Sequence, residues 1–156
     1  IGTGQCEAVV RQRAAKLGLE GVTFIQWVPE EELPRWIAWA DVVLGIFGST
    51  AKAARVVPNK VYQAMAMGAA IVTRDSPALR WLAGGEPCAV LVSPGDADAL
   101  AAALRSLRDP SRRLQLGETA RRVFERVAST PARAQALQPL LERVERRWRN
   151  LGRRIR

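Results

Sequence analysis

The chain has 156 residues, 48% apolar and 25% charged, with a formal net charge of +9; that is room for one domain with a real core, of ordinary globular composition. No apolar run approaches the roughly 20 residues needed to span a bilayer, and no secretory leader pattern is visible. Histidine is absent, which removes the commonest general base, the Ser-His and Cys-His nucleophile systems and the commonest metal ligand.

In chain order, Ile1-Gly2-Thr3-Gly4 reads as a strand end entering a loop, with glycines that permit a tight turn. Residues 5–17 carry a helical pattern (Val9, Val10, Ala14, Leu17) stopped by Gly18, and Val22-Thr23-Phe24-Ile25 reads as a short strand before a Trp27-Val28-Pro29 turn. Pro29 through Ala40 predicts a helix, with Pro at its start, glutamates in its first turn and Leu33, Trp36, Ile37 and Ala40 on one face. Asp41 to Ile46 is an apolar strand, Phe47 to Val57 a loop of small residues, Pro58-Asn59-Lys60 an abrupt helix start, and Met67-Gly68 its stop. Strand 69–73, helix 77–84, strand 89–92 and an Asp96-capped helix to Leu107 follow. Beyond the Asp109-Pro110-Ser111 break, helices are predicted to Val127 and over about 132–150, with fraying after Asn150. Continuous apolar strands alternating with amphipathic helices predict an α/β fold, a parallel sheet covered on both faces, with its ligand beyond the carboxyl ends of the strands.

The segment from Asp41 to Asp75 carries the chemistry. A strand, a small-residue loop and a helix N-terminus make an anion site, because free backbone N–H groups and the helix dipole both favour a phosphate there. Lys60 and Gln63 are three apart on one helix face, so one ligand can meet both. A lysine in the first turn opposes the dipole and costs stability unless an anion is present; a solvated lysine is the alternative reading. Gly48, Ser49 and Thr50 are candidate phosphate donors, and Arg55 either neutralises a diphosphate or faces water. Tyr62, Met65 and Met67 read as packing under the helix, Trp36, Trp39 and Trp81 as core or helix-face residues, and Asp75 and Ser76 as a helix cap or a sugar contact. Cys6 and Cys88 make neither a disulfide framework nor a zinc site and fit a reduced, cytoplasmic protein.

These pieces, in this order, resemble the C-terminal half of a GT-B glycosyltransferase, most like the group 1 (family 4) domain, from Ile1 to about Val127. The resemblance rests on Ile1-Gly2-Thr3-Gly4, on Val22 to Val28, on the Ala40-Asp41-Val42-Val43-Leu44 strand and on Pro58 to Val72. Ala89 to Asp96 and the helices from Asp98 to Arg121 complete it. It implies a Rossmann-like domain over residues 1–130, its first strand preceding Ile1, followed by a basic C-terminal helix over 131–156. It implies a nucleotide-diphosphate sugar as donor substrate, no cofactor and no required metal, and an acceptor held by an N-terminal GT-B domain outside these residues, without which the chain is inactive. Lys60 with Arg55 would act at the leaving diphosphate. Gly2, Gly4, Trp27, Val28, Gly48, Ser49, Thr50, Pro58, Asn59, Lys60 and Gln63 would bind the donor, with Trp27 and Val28 at the base and Gln63 at the ribose. The family's paired glutamates, eight apart, are absent: Gln63 stands at the second and Arg55 near the first. This departure motivates an alternative, a non-catalytic nucleotide-binding or scaffolding module.

Residues 1–100 hold 9 basic and 10 acidic residues, whereas 101–156 hold 15 arginines and 5 acidic ones. The basicity therefore belongs to the C-terminal helices, not to the candidate site. It reads first as a solvated face, then as an anionic membrane or partner surface, and least as a nucleic-acid binder, for which no groove-reading motif is present. The last helix sets Leu140, Leu141, Val144, Trp148 and Leu151 among arginines, a stripe suited to crossing back onto an N-terminal domain or, second, to peripheral contact with the inner membrane face.

Overall fold

The computed structural model describes the backbone of residues 1–154 and the side chains of residues 1–149. Tertiary contacts divide the chain into two units, Ile1–Trp36 and Ile37–Arg156. In the first, helix α1 (Glu7–Lys16) has Glu7 in its first turn and Arg13 and Lys16 in its last, which suits the dipole. Arg11 pairs with Glu7 at 2.8 Å and lies 4.4 Å over the Phe24 ring. The strand expected at Val22–Ile25 does not form. Its backbone makes one bond to the chain's start, Gly2 N–H to the Ile25 carbonyl at 2.9 Å, and a strand exists only through a ladder of such bonds.

Helix α2 (Leu33–Trp39) starts later than the expected Pro29. Residues 30–32 turn, with Glu32 N–H on the Pro29 carbonyl at 3.0 Å and Leu33 N–H on Glu30 at 3.2 Å. Pro34 has no N–H to continue that ladder, and its ring is tolerated only in a first turn, so the helix begins one residue before it.

The second unit continues with β1 (Val43–Leu44), α3 (Ala51–Arg55), α4 (Asn59–Ala66), β2 (Ile71–Arg74) and α5 (Pro77–Ala83). It ends with β3 (Val90–Val92), α6 (Ala97–Ser106), α7 (Pro110–Val127) and α8 (Thr130–Arg154). The three strands form a parallel sheet in the order β1-β2-β3, with Val43 opposite Ile71 and Val72 opposite Val90. Gly45 N–H to Val72 at 2.9 Å and Arg74 N–H to Ile46 at 2.8 Å carry the β1–β2 bonding to residue 46, the end expected from sequence.

Strand alternation sorts the core. Ile71 packs with Val61, Met65, Leu79, Leu82 and Val123 under α4, α5 and α7, whereas its neighbour Val72 packs with Val92, Ala103 and Leu107 under α6. Helices thus cover both faces, as a buried parallel sheet requires. Three helix starts are capped as their residues suggest: Ser76 accepts from Leu79 N–H, Asp96 from Ala99 N–H and Asp109 from Ser111 N–H. Gly84, at φ +61°, ends α5 in the left-handed conformation that glycine adopts without penalty. Glu86, leading into β3, is clamped by Arg126 and Arg122 of α7, and the Arg126 hydrogen bond chiefly holds its carboxyl below the usual range.

Some packing expectations are corrected. Met65 and Tyr62 turn inward, but Met67 is 40% exposed because it caps α4 at the surface. Of the two readings for Trp39 and Trp81, core or helix face, exposures of 82% and 85% leave the helix face. On α5, Leu79, Leu82 and Ala83 form the buried face, which leaves Trp81 on the opposite side. The loop expected over Phe47–Val57 contains α3, nucleated where the Thr50 hydroxyl accepts from Ala53 N–H at 3.2 Å. Helix α8 runs through Pro139 and leaves Leu137, Leu140, Leu141, Val144 and Trp148 exposed. The Leu151 side chain and Ile155 lie outside the described residues. No described helix is long and apolar enough to cross a membrane.

Thr73 ties the strand ends together. Its buried hydroxyl accepts from Ile46 N–H at 3.2 Å and lies 3.3 Å from the Ile46 carbonyl, to which it can donate. Thr73→Val keeps the shape but orphans that N–H, so a loss of about 1–2 kcal/mol is expected, read from urea midpoints at unchanged slope. An unchanged midpoint would mean that Ile46 N–H finds another acceptor.

Candidate functional site

The carboxyl ends of β1 and β2 and the start of α4 converge. Gly45 permits this, since a Cβ there would strike the Thr73 side chain and come within 3.2 Å of Val61 on α4. With no side chain on β1 at that point, α4 lies close over the strand and its first turn comes to the sheet edge. Ile46, Pro58, Val61, Thr73, Arg74 and Ser76 all line one narrow cavity there. Gly95 N–H donates to the Phe47 carbonyl at 3.2 Å, which joins the loop after β3 to the loop after β1.

Pro58 is the N-cap of α4, with extended backbone (φ −71°, ψ 151°), Asn59 opens the helix and Lys60 follows. No side chain caps this end, and Val61 N–H turns back to the Pro58 carbonyl at 2.9 Å, so it is the N–H groups of Asn59 and Lys60 that keep their capacity for an outside acceptor. Lys60 is exposed to solvent, yet the protein mass around its stem partly desolvates it, and this lowers its pKa. Gln63, half-buried, lies one turn on along the same face. Met65 and Val61, on the other face, are the anchors that hold α4 to the sheet.

Gly48, Ser49 and Thr50 are exposed in the loop between β1 and α3. The Thr50 oxygen is engaged as the α3 cap, which leaves its proton free to donate outward. Arg55 ends α3, where a cation complements the carbonyl end of the helix; that local role accounts for it without a ligand. Gly2, Gly4, Trp27 and Val28 belong to the first unit. There Gly2 donates to Ile25, the Gly4 carbonyl accepts from Glu7 N–H at 3.0 Å, Trp27 is 75% exposed and Val28 is half-buried.

Asp75 is not a ligand group in waiting. Arg80 grips it through two hydrogen bonds of 2.6 and 2.5 Å, which lower its pKa against partial desolvation, with the charge of Arg74 adding to the effect. Ser76 is occupied as the α5 cap. Among the described residues no carboxylate lies within ion-pair distance of Lys60 or Arg74; Asp75 feels the charge of Arg74 but forms its ion pair with Arg80. No described group of three or more acidic, Cys or His residues could hold a metal ion.

Arg74 is the residue that sequence reasoning passed over. It is only 7% exposed, and its guanidinium donates to the carbonyl of Gly48, to that of Thr50 at 3.4 Å and to that of Asp75 at 3.2 Å. The signal was present: a charge closing a fully buried apolar strand, Ile71-Val72-Thr73-Arg74. A larger cleft of about 330 Å³ lies between α5 and the segment leading into β3. Its polar groups, Arg80 and Glu86, are already paired with Asp75 and with Arg122 and Arg126, and no candidate residue lines it.

Residues 1–109 match the family described as Glycosyl transferases group 1. No curated protein matches the chain in sequence. Among solved structures, it is similar to sucrose-phosphate synthase from Thermosynechococcus elongatus, with a TM-score of 0.74 and 23% identity, over 92% of this chain but 37% of that one. It is also similar to the C-terminal domain of a glycosyl transferase group 1 family protein from Francisella tularensis, with a TM-score of 0.59 and 18% identity, over 82% of this chain and 66% of that one. At these identities the likeness speaks for the fold, and the chain spans little more than a third of the synthase.

Proposed function

The chain belongs to the group 1 glycosyl transferases, and from that premise we propose that it is a sugar-donor domain that holds the diphosphate of a nucleotide sugar at the start of α4. One observation carries the reading. Lys60 places a cation in the first turn of a helix whose dipole already favours an anion, and among the described residues no carboxylate pairs with it. The arrangement costs stability in the empty protein and is repaid when a diphosphate arrives.

In this reading Lys60 and the N–H groups of α4 accept the charge that grows on the diphosphate as the bond from its oxygen to the anomeric carbon breaks. The new bond to that carbon comes from an acceptor oxygen, presented by another domain of the enzyme. Gln63, one turn along, both donates to and accepts from the ribose diol. Ser49 and Thr50 add hydroxyl donors from the facing loop.

Titration of the ¹⁵N-labelled chain with UDP, GDP and ADP tests this. Saturable amide shifts for one nucleotide, confined to residues 48–63, are expected and would name the base class. Absence of shifts with all three at millimolar concentration would overturn the reading for this chain.

A further inference from the structure

Resting on the anion-site reading above, we propose that Arg74 is its positioning residue: the buried guanidinium draws the Gly48 and Thr50 carbonyls inward and so turns the following peptide N–H groups toward the phosphate. The contacts are those to Gly48, Thr50 and Asp75 already described, all carbonyls. A trans peptide is planar, with C=O and N–H pointing in opposite directions. Holding the Gly48 carbonyl against Arg74 therefore aims the Ser49 N–H away from it, and the Thr50 carbonyl, which Arg74 shares with Ala54 N–H of α3 at 3.2 Å, does the same to the Ala51 N–H. Neither N–H reaches an acceptor among the described residues. Both N–H groups, turned away from the same guanidinium, keep their capacity for an outside anion.

The energetics favour a functional reason for this arginine. A charge only 7% exposed, hydrogen-bonded to carbonyls and sharing its neighbouring carboxylate Asp75 with Arg80, is expensive, and an apolar side chain of similar length would fill the space more cheaply. Asp75, the neighbouring carboxylate, is turned to Arg80 instead. An anion at the loop supplies the hydrogen-bonded counter-charge that Asp75, engaged by Arg80, gives Arg74 only at a distance, while the planar fork suits two carbonyls in a way that an ammonium does not.

The test compares the wild-type chain with Arg74→Met and Arg74→Lys, using ¹⁵N relaxation of the free protein and titration with inorganic pyrophosphate. Arg74→Met is expected to keep its thermal midpoint within a few degrees. Its amide order parameters at Ser49–Ala51 should fall from about 0.85 toward 0.6, and its pyrophosphate Kd should rise at least tenfold. Arg74→Lys should keep the charge and still lose the loop order. Unchanged order parameters at Ser49–Ala51 in both variants would overturn the proposal, as would a lysine variant that behaves as wild type. Loop disorder in the variants of a wild-type chain that ignores pyrophosphate would sustain Arg74 as the loop's organiser and sink the anion reading instead. Should Arg74→Met fail to fold, the lysine variant decides alone.

Discussion

Gly117→Ala is expected to destabilise the second unit by about 2 kcal/mol, although helix propensity by itself predicts a gain. Gly117 sits in the middle of α7, where replacing glycine by alanine ordinarily contributes about 1 kcal/mol. At this position α7 crosses the end of α4, and a Cβ would land on the Gly68 carbonyl oxygen and 2.9 Å from its carbon. Overpacking of this kind costs about 3 kcal/mol when neighbours cannot yield. The neighbour here is backbone and it is fixed. Gly68 holds φ +66° to end α4, its N–H bonds the Met65 carbonyl at 3.0 Å, and Ala69 N–H bonds Ala64 at 3.0 Å. Arg121 closes the same seam with a 2.6 Å bond to the Ala66 carbonyl. The steric term wins, and Tm should fall by roughly 8 °C. Gly21→Ala, which meets nothing within 4 Å, is the control. A Gly117→Ala midpoint equal to or above wild type would mean that α7 slides without cost.

Lys60→Ala is expected to weaken nucleoside diphosphate binding by about ten- to a hundredfold, the size of a lost charge-assisted hydrogen bond, while slightly raising the stability of the empty protein. The two signs together separate a ligand residue from a structural one, since a structural residue loses both. The pH dependence follows from the lowered pKa. For a lysine depressed by desolvation, the charged form is disfavoured in the folded state, so its cost is present at neutral pH and is relieved as pH rises through the folded pKa. Binding runs the other way: affinity falls through the same alkaline window as the ammonium is lost. Lys60→Arg, charged throughout, should flatten that fall. Isothermal titration between pH 7 and 10 reads affinity, and urea unfolding of the free protein reads stability. Equal affinities for wild type and Lys60→Ala would remove Lys60 from the site.

Lys60 was legible because a lysine just behind Pro58-Asn59, at the edge of an apolar strand–loop–helix sequence, is a local signal. Arg74 was not, because its meaning comes from carbonyls 24 and 26 residues away. The same contrast runs through the cluster at Asp75. The sequence allowed a sugar contact or a cap, and only the fold revealed that Ser76 caps while Arg80 takes the carboxylate. Thr50, a phosphate candidate by residue type, proved to nucleate a helix that no periodicity in Phe47–Val57 announced.

By itself the sequence determined the alternation of the main strands and helices from Asp41 to Val127, the capped start at Asp96, the break at Asp109-Pro110, the helix start that carries Lys60, and the kinship with the group 1 glycosyl transferases. These are set by side-chain periodicity and by hydrogen bonds within a few residues of one another. Only the tertiary structure decided that Val22–Ile25 lacks a ladder, that α4 closes over Gly45, that α7 rests on Gly68 and that a buried arginine organises the strand-end loop. Each of these depends on which distant backbone comes within a few ångströms, and no local pattern of residues records that distance.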